Sequence, residues 1–266
     1  MNTRYAQAAP PRGREGIAVY QRIEGALARL AEKMGAAPMQ YPVLIARDAL
    51  VRAGYPDAFA HLLMMGANLR SPELIGEGQL EPGNLASPQW CLSPAVCYHV
   101  YAGFTGQTLD GPRVVTAGGR CFRHEATVDA GRRQIEFEMR EIVLLGAADW
   151  VRGTAQAGSE RLGMIAREFA LAGQWRAAED PFFLPRAQGQ ALMQRLKETK
   201  LEYCLEGDAE ELALASVNFH GDFFGKRFDI RDADGNFIHT ACIAAGIDRW
   251  ASCIQRHRKE ATSCHS

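Results

Sequence analysis

The chain has 266 residues, of which 47% are hydrophobic and 23% are charged, a composition typical of a globular protein that buries a core of its own. Its net charge of -1 and its pI near 6.7 leave no surplus of Lys and Arg for binding the phosphate backbone of a nucleic acid. The sequence shows neither a signal-peptide core nor an apolar run of bilayer-spanning length, so we expect a cytoplasmic protein.

The first elements are a tail and a helix. Residues 1–14 contain Pro, Gly and Arg without apolar periodicity, and we interpret them as a mobile N-terminal tail that precedes one domain at residues 15–266. Apolar residues recur at helical spacing over residues 16–34, which predicts an amphipathic helix. Residues 39–45 then have the pattern of a short strand, in which Pro42 suits an edge or interface position because it lacks an amide hydrogen.

The middle of the chain begins with residues 51–85, whose Gly and Pro content indicates loops and short helices in a substrate-facing lid. Residues 90–104 are expected to form a strand that leads into a helix. Two long strands are predicted at residues 113–122 and 134–145, and they should pair antiparallel because the polar loop between them is short. Helical patterns follow. They cover residues 148–171 and 186–197.

The last part of the chain is predicted to hold four strands and a helix. Asp234 and Gly235 form a good hairpin turn before a strand at residues 236–243, and a final helix is expected from about residue 245 to 257. The other three strands are expected at residues 201–205, 211–219 and 226–231. Antiparallel strands interleaved with helices indicate an α+β fold rather than a doubly wound parallel sheet.

The seven cysteines are an odd number and show no Cys-x-x-Cys spacing. Disulfides are therefore not expected, which leaves two alternatives, buried thiols or metal ligands. From composition alone, a small buried hydrophobic residue is the more common role of each. The cysteines are Cys91, Cys97, Cys121, Cys204, Cys242, Cys253 and Cys264.

Arg123 and Glu125 form an Arg-x-Glu pattern at the end of the first long strand. The planar guanidinium of Arg123 could neutralise phosphate and carboxylate charge through two parallel hydrogen bonds, which a Lys cannot make. Taken alone, the pattern is more typical of ordinary paired charges on a solvated strand face. The neighbouring motifs decide between a role in binding phosphate and carboxylate and an ordinary charge pair on the surface.

Residues 121–125 (Cys-Phe-Arg-His-Glu) and 137–141 (Phe-Glu-Met-Arg-Glu) together resemble motif 2 of class II aminoacyl-tRNA synthetases. Residues 246–249 (Gly-Ile-Asp-Arg) resemble their motif 3, and the first helix with the Pro42 strand resembles motif 1, which builds the dimer interface in that family. The resemblance implies a homodimer and a class II synthetase-like antiparallel sheet flanked by helices. It places the three motifs at residues 16–45, 113–146 and 240–257.

The same resemblance implies roles in ATP binding for several side chains. Arg123 would hold the α-phosphate of ATP and the carboxylate of the amino acid, and Glu125 the amino group of adenine. Phe137 would cover one face of adenine, and Arg249 the other face and the γ-phosphate, so that Arg123 and Arg249 are the catalytic candidates. Mg²⁺ is implied because the phosphates need a divalent cation, and Glu211 is its candidate ligand.

Within class II, the seryl-type catalytic core is the most similar, and Cys97 stands where its usual form has a Glu. Cys97, Glu141 and Cys242 match the Cys, Glu, Cys zinc set of the atypical archaeal seryl enzymes. The resemblance implies a Zn²⁺ ion with a fourth tetrahedral position open to the amino group of the substrate. Cys97, Arg123 and Glu141 would then bind the amino acid.

Residues 90–101 and 139–141 closely resemble the amino acid:carrier protein ligases of bacteria, and this likeness spans roughly residues 16–258. It implies that glycine or alanine is converted to the aminoacyl adenylate and passed to the phosphopantetheine thiol of a carrier protein. Glu138 departs from the pattern, since these ligases often have a basic residue there. With one modest helix before motif 1 and no basic surplus, we do not expect tRNA as the acceptor.

Three alternatives stay open at the level of the sequence. One is a compact seryl-type synthetase core that charges tRNA. Another is a noncatalytic regulatory relative that binds an amino acid or an adenylate without turnover. The third is a generic zinc-binding structural domain, for which the metal would be needed for folding.

Overall fold

The central element is a seven-stranded sheet whose two longest strands are the predicted pair. The computed structural model describes residues 12–71, 73, 82–129, 131–178, 199–208 and 212–263. The strand order is β1-β6-β7-β12-β10-β9-β8, and every neighbouring pair is antiparallel except β1 with β6. The seven strands are β1 (Ala37–Pro38), β6 (Arg113–Phe122), β7 (Glu136–Gly146), β8 (Gly173–Ala177), β9 (Lys200–Leu205), β10 (Ala213–Gly221) and β12 (His239–Gly246).

Smaller elements surround this sheet. A three-stranded sheet has the order β2-β4-β3, and β5 pairs with β11. These strands are β2 (Leu44–Ala46), β3 (Met65–Gly66), β4 (Trp90–Leu92), β5 (Thr108–Leu109) and β11 (Arg231–Asp232). The helices are α1 (Arg14–Lys33), α2 (Arg47–Ala53), α3 (Tyr55–Phe59), α4 (Cys97–Gly103), α5 (Ala148–Glu168), α6 (Phe223–Phe228) and α7 (Ile247–Ser263). Short 3₁₀ turns occur at Ala60–Leu62 and Pro82–Asn84.

Alternation along the central strands gives the sheet two different faces. Ile142 and Leu144 point to the face that α1, α5 and α7 cover, which holds the larger part of the core. Val143 and Leu145 point the other way, toward α4 and α6. We call the first side the helix face and the second the site face, because the candidate ligands lie on the latter.

The structure confirms most of the predicted elements. The first helix, the strand-to-helix unit of β4 and α4, the antiparallel β6–β7 pair and α5 all form as expected. The final helix also forms and extends to Ser263. The predicted helix at residues 186–197 lies outside the described residues, as do residues 1–11 of the predicted tail. None of the helices in the described ranges is long and apolar enough to cross a membrane.

Three predictions about elements were wrong. The predicted strand at residues 39–45 is replaced by two short strands on either side of Pro42, which cannot donate a ladder hydrogen bond. The first half of the predicted strand at residues 226–231 is the end of α6, because Phe224 and Phe228 are buried at the four-residue spacing of a helix, and only Arg231 lies in a strand. The tail prediction also fails at its end, since α1 begins at Arg14 and Arg12 forms ion pairs.

Candidate active site

Three predicted metal ligands converge on the site face. Glu141 comes from β7 and Cys242 from β12, where the antiparallel register sets Ala244 opposite Glu141 and Cys242 opposite Val143. Cys97 is the first residue of α4, which packs on this face. The ligand atoms of these three buried side chains all lie within 4.8 Å of one another. The register of the sheet therefore brings together residues that are far apart in sequence.

The Glu141 carboxylate has one oxygen bound and one oxygen free. Oε1 accepts a 3.0 Å hydrogen bond from the backbone amide of Val96, while Oε2 is buried and has no partner among the described residues. Burial, together with the charge of the nearby Cys242 sulfur, raises the pKa of Glu141 to about 8. A buried carboxylate oxygen without a hydrogen-bond partner suits a metal site with two thiols nearby, because an unpaired buried acceptor lowers the stability of the fold.

Polar groups also surround the Cys242 sulfur. Asn218 lies directly opposite Cys242 in the sheet, and its Nδ2 donates a 3.6 Å hydrogen bond to Sγ. Nε2 of His220 lies 4.0 Å from the same sulfur, and Nδ1 of His220 lies 3.2 Å from Oγ1 of Thr240. A hydrogen bond from the Cys97 thiol, together with those from His220 and Asn218, lowers the pKa of Cys242. Cys242 is thus the more thiolate-like sulfur of the pair.

This donor set fits Zn²⁺. Two sulfur ligands and one carboxylate are typical ligands of that ion, and three protein ligands leave the fourth tetrahedral position open, as in catalytic rather than structural sites. The hydrogen bonds to Glu141 and Cys242 provide the outer support that ligands in such sites usually have.

The four predicted nucleotide-binding residues lie together. Arg123, Glu125, Phe137 and Arg249 all line one pocket of about 180 Å³. The guanidinium carbon of Arg123 lies 5.0 Å from the centroid of the Phe137 ring, and its Nε donates a 3.3 Å hydrogen bond to the carbonyl of Pro94. This stacking keeps the charge of Arg123 beside an aromatic wall, as binding of a base and its phosphates would require.

Arg249 is held by the main chain. Its Nε donates to the carbonyl oxygen of Arg132 and its Nη1 to that of Ala213, both at 2.9 Å. Burial lowers the pKa of Arg249, and the charge of Arg123 lowers it further. Two guanidinium groups that repel each other in one pocket would be stabilised by a polyanion between them.

The pocket of about 180 Å³ adjoins the candidate metal ligands. A larger cleft of about 1840 Å³ is lined by Arg123, Glu125 and Arg249 and also by all three candidate metal ligands. Arg123 thus lines both the smaller pocket and the cleft that contains the candidate metal ligands. The candidate Mg²⁺ ligand Glu211 lies outside the described residues.

Some residues of the site were not foreseen from the sequence. They are the backbone amide of Val96 and the side chains of Asn218 and His220. An isolated polar residue in a strand carries no spacing signal, and only the pairing of β10 with β12 brings Asn218 to the sulfur.

Comparisons with known proteins show which family the chain resembles. The chain is 31% identical over 258 residues to amino acid–[acyl-carrier-protein] ligase 1 of Bradyrhizobium diazoefficiens, a match that covers 90% of this chain and 79% of that protein. Ligase 2 of the same organism is 33% identical over 245 residues, which covers 88% of this chain and 73% of that protein. A scan against protein-family models gives no match.

A solved structure shows the fold. The crystal structure of M. kandleri SerRS in complex with A. aeolicus tRNASec matches with a TM-score of 0.77 at 21% identity, over 93% of this chain and 54% of that chain. At this identity the likeness concerns the fold alone. It confirms the predicted class II aminoacyl-tRNA synthetase-like architecture.

Proposed function

Because the chain belongs to the amino acid–[acyl-carrier-protein] ligase family, we propose that it activates a small amino acid with ATP and transfers it to a carrier protein. The family membership makes the chain a ligase. The observation that supports this reaction best is the position of Arg123, which lines both the nucleotide pocket and the cleft with the candidate metal ligands. A carboxylate and an α-phosphate could therefore meet at one guanidinium.

In the first step, a carboxylate oxygen of the amino acid attacks the α-phosphorus of ATP, and pyrophosphate leaves. Arg123 neutralises the carboxylate and the α-phosphate, Glu125 accepts from the adenine amino group, and Phe137 and Arg249 enclose the base. Arg249 also binds the γ-phosphate. We include Mg²⁺ in the proposal, because the departing phosphates need a divalent cation.

Cys97, Glu141 and Cys242 would hold Zn²⁺, which when bound offers an open position to the α-amino group of the substrate. The chain supplies the alignment around that position, with the Val96 amide fixing one Glu141 oxygen and Asn218 supporting the Cys242 sulfur. An amine held there would direct the substrate carboxylate toward Arg123.

Glycine or alanine is the proposed substrate. Tyr101 and Phe224 are buried and stacked with ring centroids 4.2 Å apart, and the Tyr101 hydroxyl lies 3.4 Å from His220 beside the cluster. Phe224 and Asn218 also line the cleft that holds the candidate metal ligands, so we propose that these two side chains select against a large substrate side chain.

In the second step, the phosphopantetheine thiol of the carrier protein attacks the carbonyl carbon of the adenylate, and AMP leaves. The cleft of about 1840 Å³ exceeds the roughly 300–1,000 Å³ that one small ligand needs. Its lining continues from the candidate ligands to Tyr55, Phe59 and Phe223, which gives room for the arm of the carrier beside the adenylate.

We also propose a homodimer formed through the motif 1 region. Met39, Val43 and Leu44 are 41–50% exposed, and Trp90 on the neighbouring strand β4 is exposed as well. Exposed large apolar side chains on two paired strands and the segment before them support an interface between proteins at this surface.

Pyrophosphate exchange across the amino acids, with and without Zn²⁺, tests the first step. We expect pyrophosphate exchange with glycine or alanine. The variant Arg123→Ala should abolish this exchange. The control variant Arg120→Ala, three residues earlier on β6, should retain it. The second step is tested with radiolabelled amino acid, ATP and three acceptors, namely holo-carrier, carrier without phosphopantetheine, and tRNA. Label in the holo-carrier alone supports the proposal. Label in tRNA alone would instead support a compact synthetase core, and no exchange with any amino acid would support a noncatalytic relative.

A further inference from the structure

Arg12 joins three elements behind the nucleotide pocket. Its Nη1 lies 2.5 Å from Oε2 of Glu138 on β7, and its Nη2 lies 2.5 Å from Oδ1 of Asp248 in the first turn of α7. Its guanidinium carbon also lies 4.5 Å from the centroid of the Tyr20 ring in α1. The planar fork of an arginine can bind two carboxylates at once, whereas the single ammonium of a lysine cannot match both directions.

The two carboxylates are linked to each other as well. Oδ2 of Asp248 accepts a 2.6 Å hydrogen bond from the backbone amide of Glu138, so Arg12, Glu138 and Asp248 form a closed ring of contacts. The side chains of these three residues are 29%, 17% and 16% exposed, respectively. Partly buried pairs of this kind are screened by salt much less than exposed ones.

Two members of the ring are adjacent in sequence to the two residues that form the walls of the proposed adenine site. Glu138 directly follows Phe137, and Asp248 directly precedes Arg249. Because side chains alternate along a strand, Phe137 points to the site face while Glu138 points to the helix face, where Arg12 lies. Arg12 therefore holds, from behind the sheet, the two backbone segments that present Phe137 and Arg249.

We propose that Arg12 is a positioning residue for the nucleotide, which sets the spacing between Phe137 and Arg249 by holding Glu138 and Asp248. The inference rests on the proposed function, since it concerns the ATP pocket of that same site. It also gives Glu138 a role. The acidic residue that departs from the pattern of similar ligases is the partner that an arginine at position 12 requires.

A positioning role and a merely structural one predict different kinetics. If Arg12 sets the slot, its loss raises KM for ATP and leaves KM for the amino acid unchanged, because Glu138 and Asp248 are next in the chain to Phe137 and Arg249, whereas neither adjoins a candidate metal ligand. A displacement of about 1 Å in such a slot can cost up to about 100-fold in rate. We expect KM for ATP to rise about 10-fold in Arg12→Ala and by a similar factor in Arg12→Lys.

The experiment measures KM for both substrates in pyrophosphate exchange with the full chain, together with calorimetric binding of ATP and the melting temperature. Arg120→Ala is the matched control, because Arg120 contacts Glu138 at 3.5 Å and Glu136 at 2.8 Å from an exposed side chain on β6. That variant should keep the KM for ATP of the unchanged protein. If Arg12 acts through Glu138, the KM for ATP of the double variant Arg12→Ala, Glu138→Gln should not exceed the KM for ATP of either single variant.

Two outcomes would overturn the inference. One is a KM for ATP in Arg12→Ala equal to that of the unchanged protein. The other is a rise in KM that is equal for ATP and for the amino acid and accompanies a lowered melting temperature of Arg12→Ala. Should Arg12→Ala fail to fold, Glu138→Gln provides the same test. Failure of the proposed function is distinguishable, because the unchanged protein would then neither bind ATP in calorimetry nor catalyse exchange.

Discussion

The backbone amide of Val96 donates a hydrogen bond of 3.0 Å to one oxygen of the Glu141 carboxylate, and the other oxygen is buried without a hydrogen-bond partner among the described residues. Val96 is the residue immediately before Cys97, so the turn that begins α4 both delivers one candidate ligand and orients another. This coupling makes a short helix against the sheet part of the candidate metal site. The carboxylate would be oriented before a cation binds.

Removal of any one ligand should therefore abolish metal binding. We expect Cys97→Ser, Glu141→Gln and Cys242→Ser to be purified without stoichiometric zinc, since two remaining ligands do not hold the ion tightly. Cys91→Ser is the control, because Cys91 is an equally buried thiol in a different apolar cluster. Metal analysis by mass spectrometry gives the result. Full zinc occupancy in Cys242→Ser would contradict the assignment.

The hydrogen bond from Asn218 to the Cys242 sulfur should strengthen metal binding. Loss of an outer partner of a ligand typically costs about 10- to 100-fold in metal affinity, and we expect Asn218→Ala to fall in that range. Ser216→Ala is the matched control, since Oγ of Ser216 accepts from the same amide at 3.2 Å without being hydrogen-bonded to the sulfur. Competition with a chelator measures the affinity. Equal affinities for the two variants would exclude a role for this hydrogen bond.

The sequence predicted which candidate site residues lie together more accurately than it predicted some of the elements around them. The β6–β7 pair was predictable because two long strands were separated by a short polar loop, and the motifs on them indicated Arg123, Glu125, Phe137 and Glu141. In contrast, the second half of α6 was predicted as the start of a strand, because the apolar residues of a six-residue element are too few to distinguish a spacing of four from a spacing of two.

The remaining features depend on tertiary pairing that no local pattern encodes. Asn218 meets Cys242 only through the register of β10 and β12, and Arg12 meets Asp248 across more than 200 residues of chain. Glu138 was visible in the sequence as a departure from the pattern of the carrier protein ligases. Its partner, Arg12, lies in a segment that composition indicated to be a mobile tail.

Arg249 should be essential for the use of ATP. Its guanidinium is fixed by the carbonyls of Arg132 and Ala213, and a lysine could not donate to both while facing the base. We expect Arg249→Lys to lower the rate of pyrophosphate exchange about 100- to 1,000-fold, the usual effect of removing one positioned donor from a reacting group. Arg256→Ala, on the same helix, should keep the rate, because Arg256 contacts Asp208 outside the pocket at 3.6 Å. Exchange by Arg249→Lys at the unchanged rate would remove Arg249 from the proposed site.

The proposed dimer can be tested at the motif 1 surface. Val43 and Leu44 are exposed apolar residues beside Pro42, and a carboxylate buried at either position would carry an uncompensated desolvation cost. We expect Val43→Asp and Leu44→Asp to be monomers by light scattering, whereas the unchanged protein is a dimer. Met164→Asp, at an equally exposed apolar residue on α5, should remain a dimer. A monomeric unchanged protein would contradict the proposal.

Two glycines should respond in opposite directions to the same substitution. A Cβ at Gly225 would overlap the carbonyl oxygen of Ile238, which is main chain and cannot rotate away, so we expect Gly225→Ala to lower the free energy of unfolding by about 3 kcal/mol. In the described structure, a Cβ at Gly153 in the middle of α5 would meet no heavy atom within 4 Å. There, alanine should stabilise the helix by about 0.5–1 kcal/mol.

Urea denaturation of both variants measures these differences, and the metal content of Gly225→Ala adds a link to the site. Gly225 lies next to Phe224, whose ring stacks on Tyr101 beside the candidate ligands. A shift of α6 away from Ile238 should therefore loosen the ring pair and lower zinc retention, while Gly153→Ala keeps zinc. If Gly225→Ala were as stable as the unchanged protein, the close approach of α6 to the chain before β12 would be wrong.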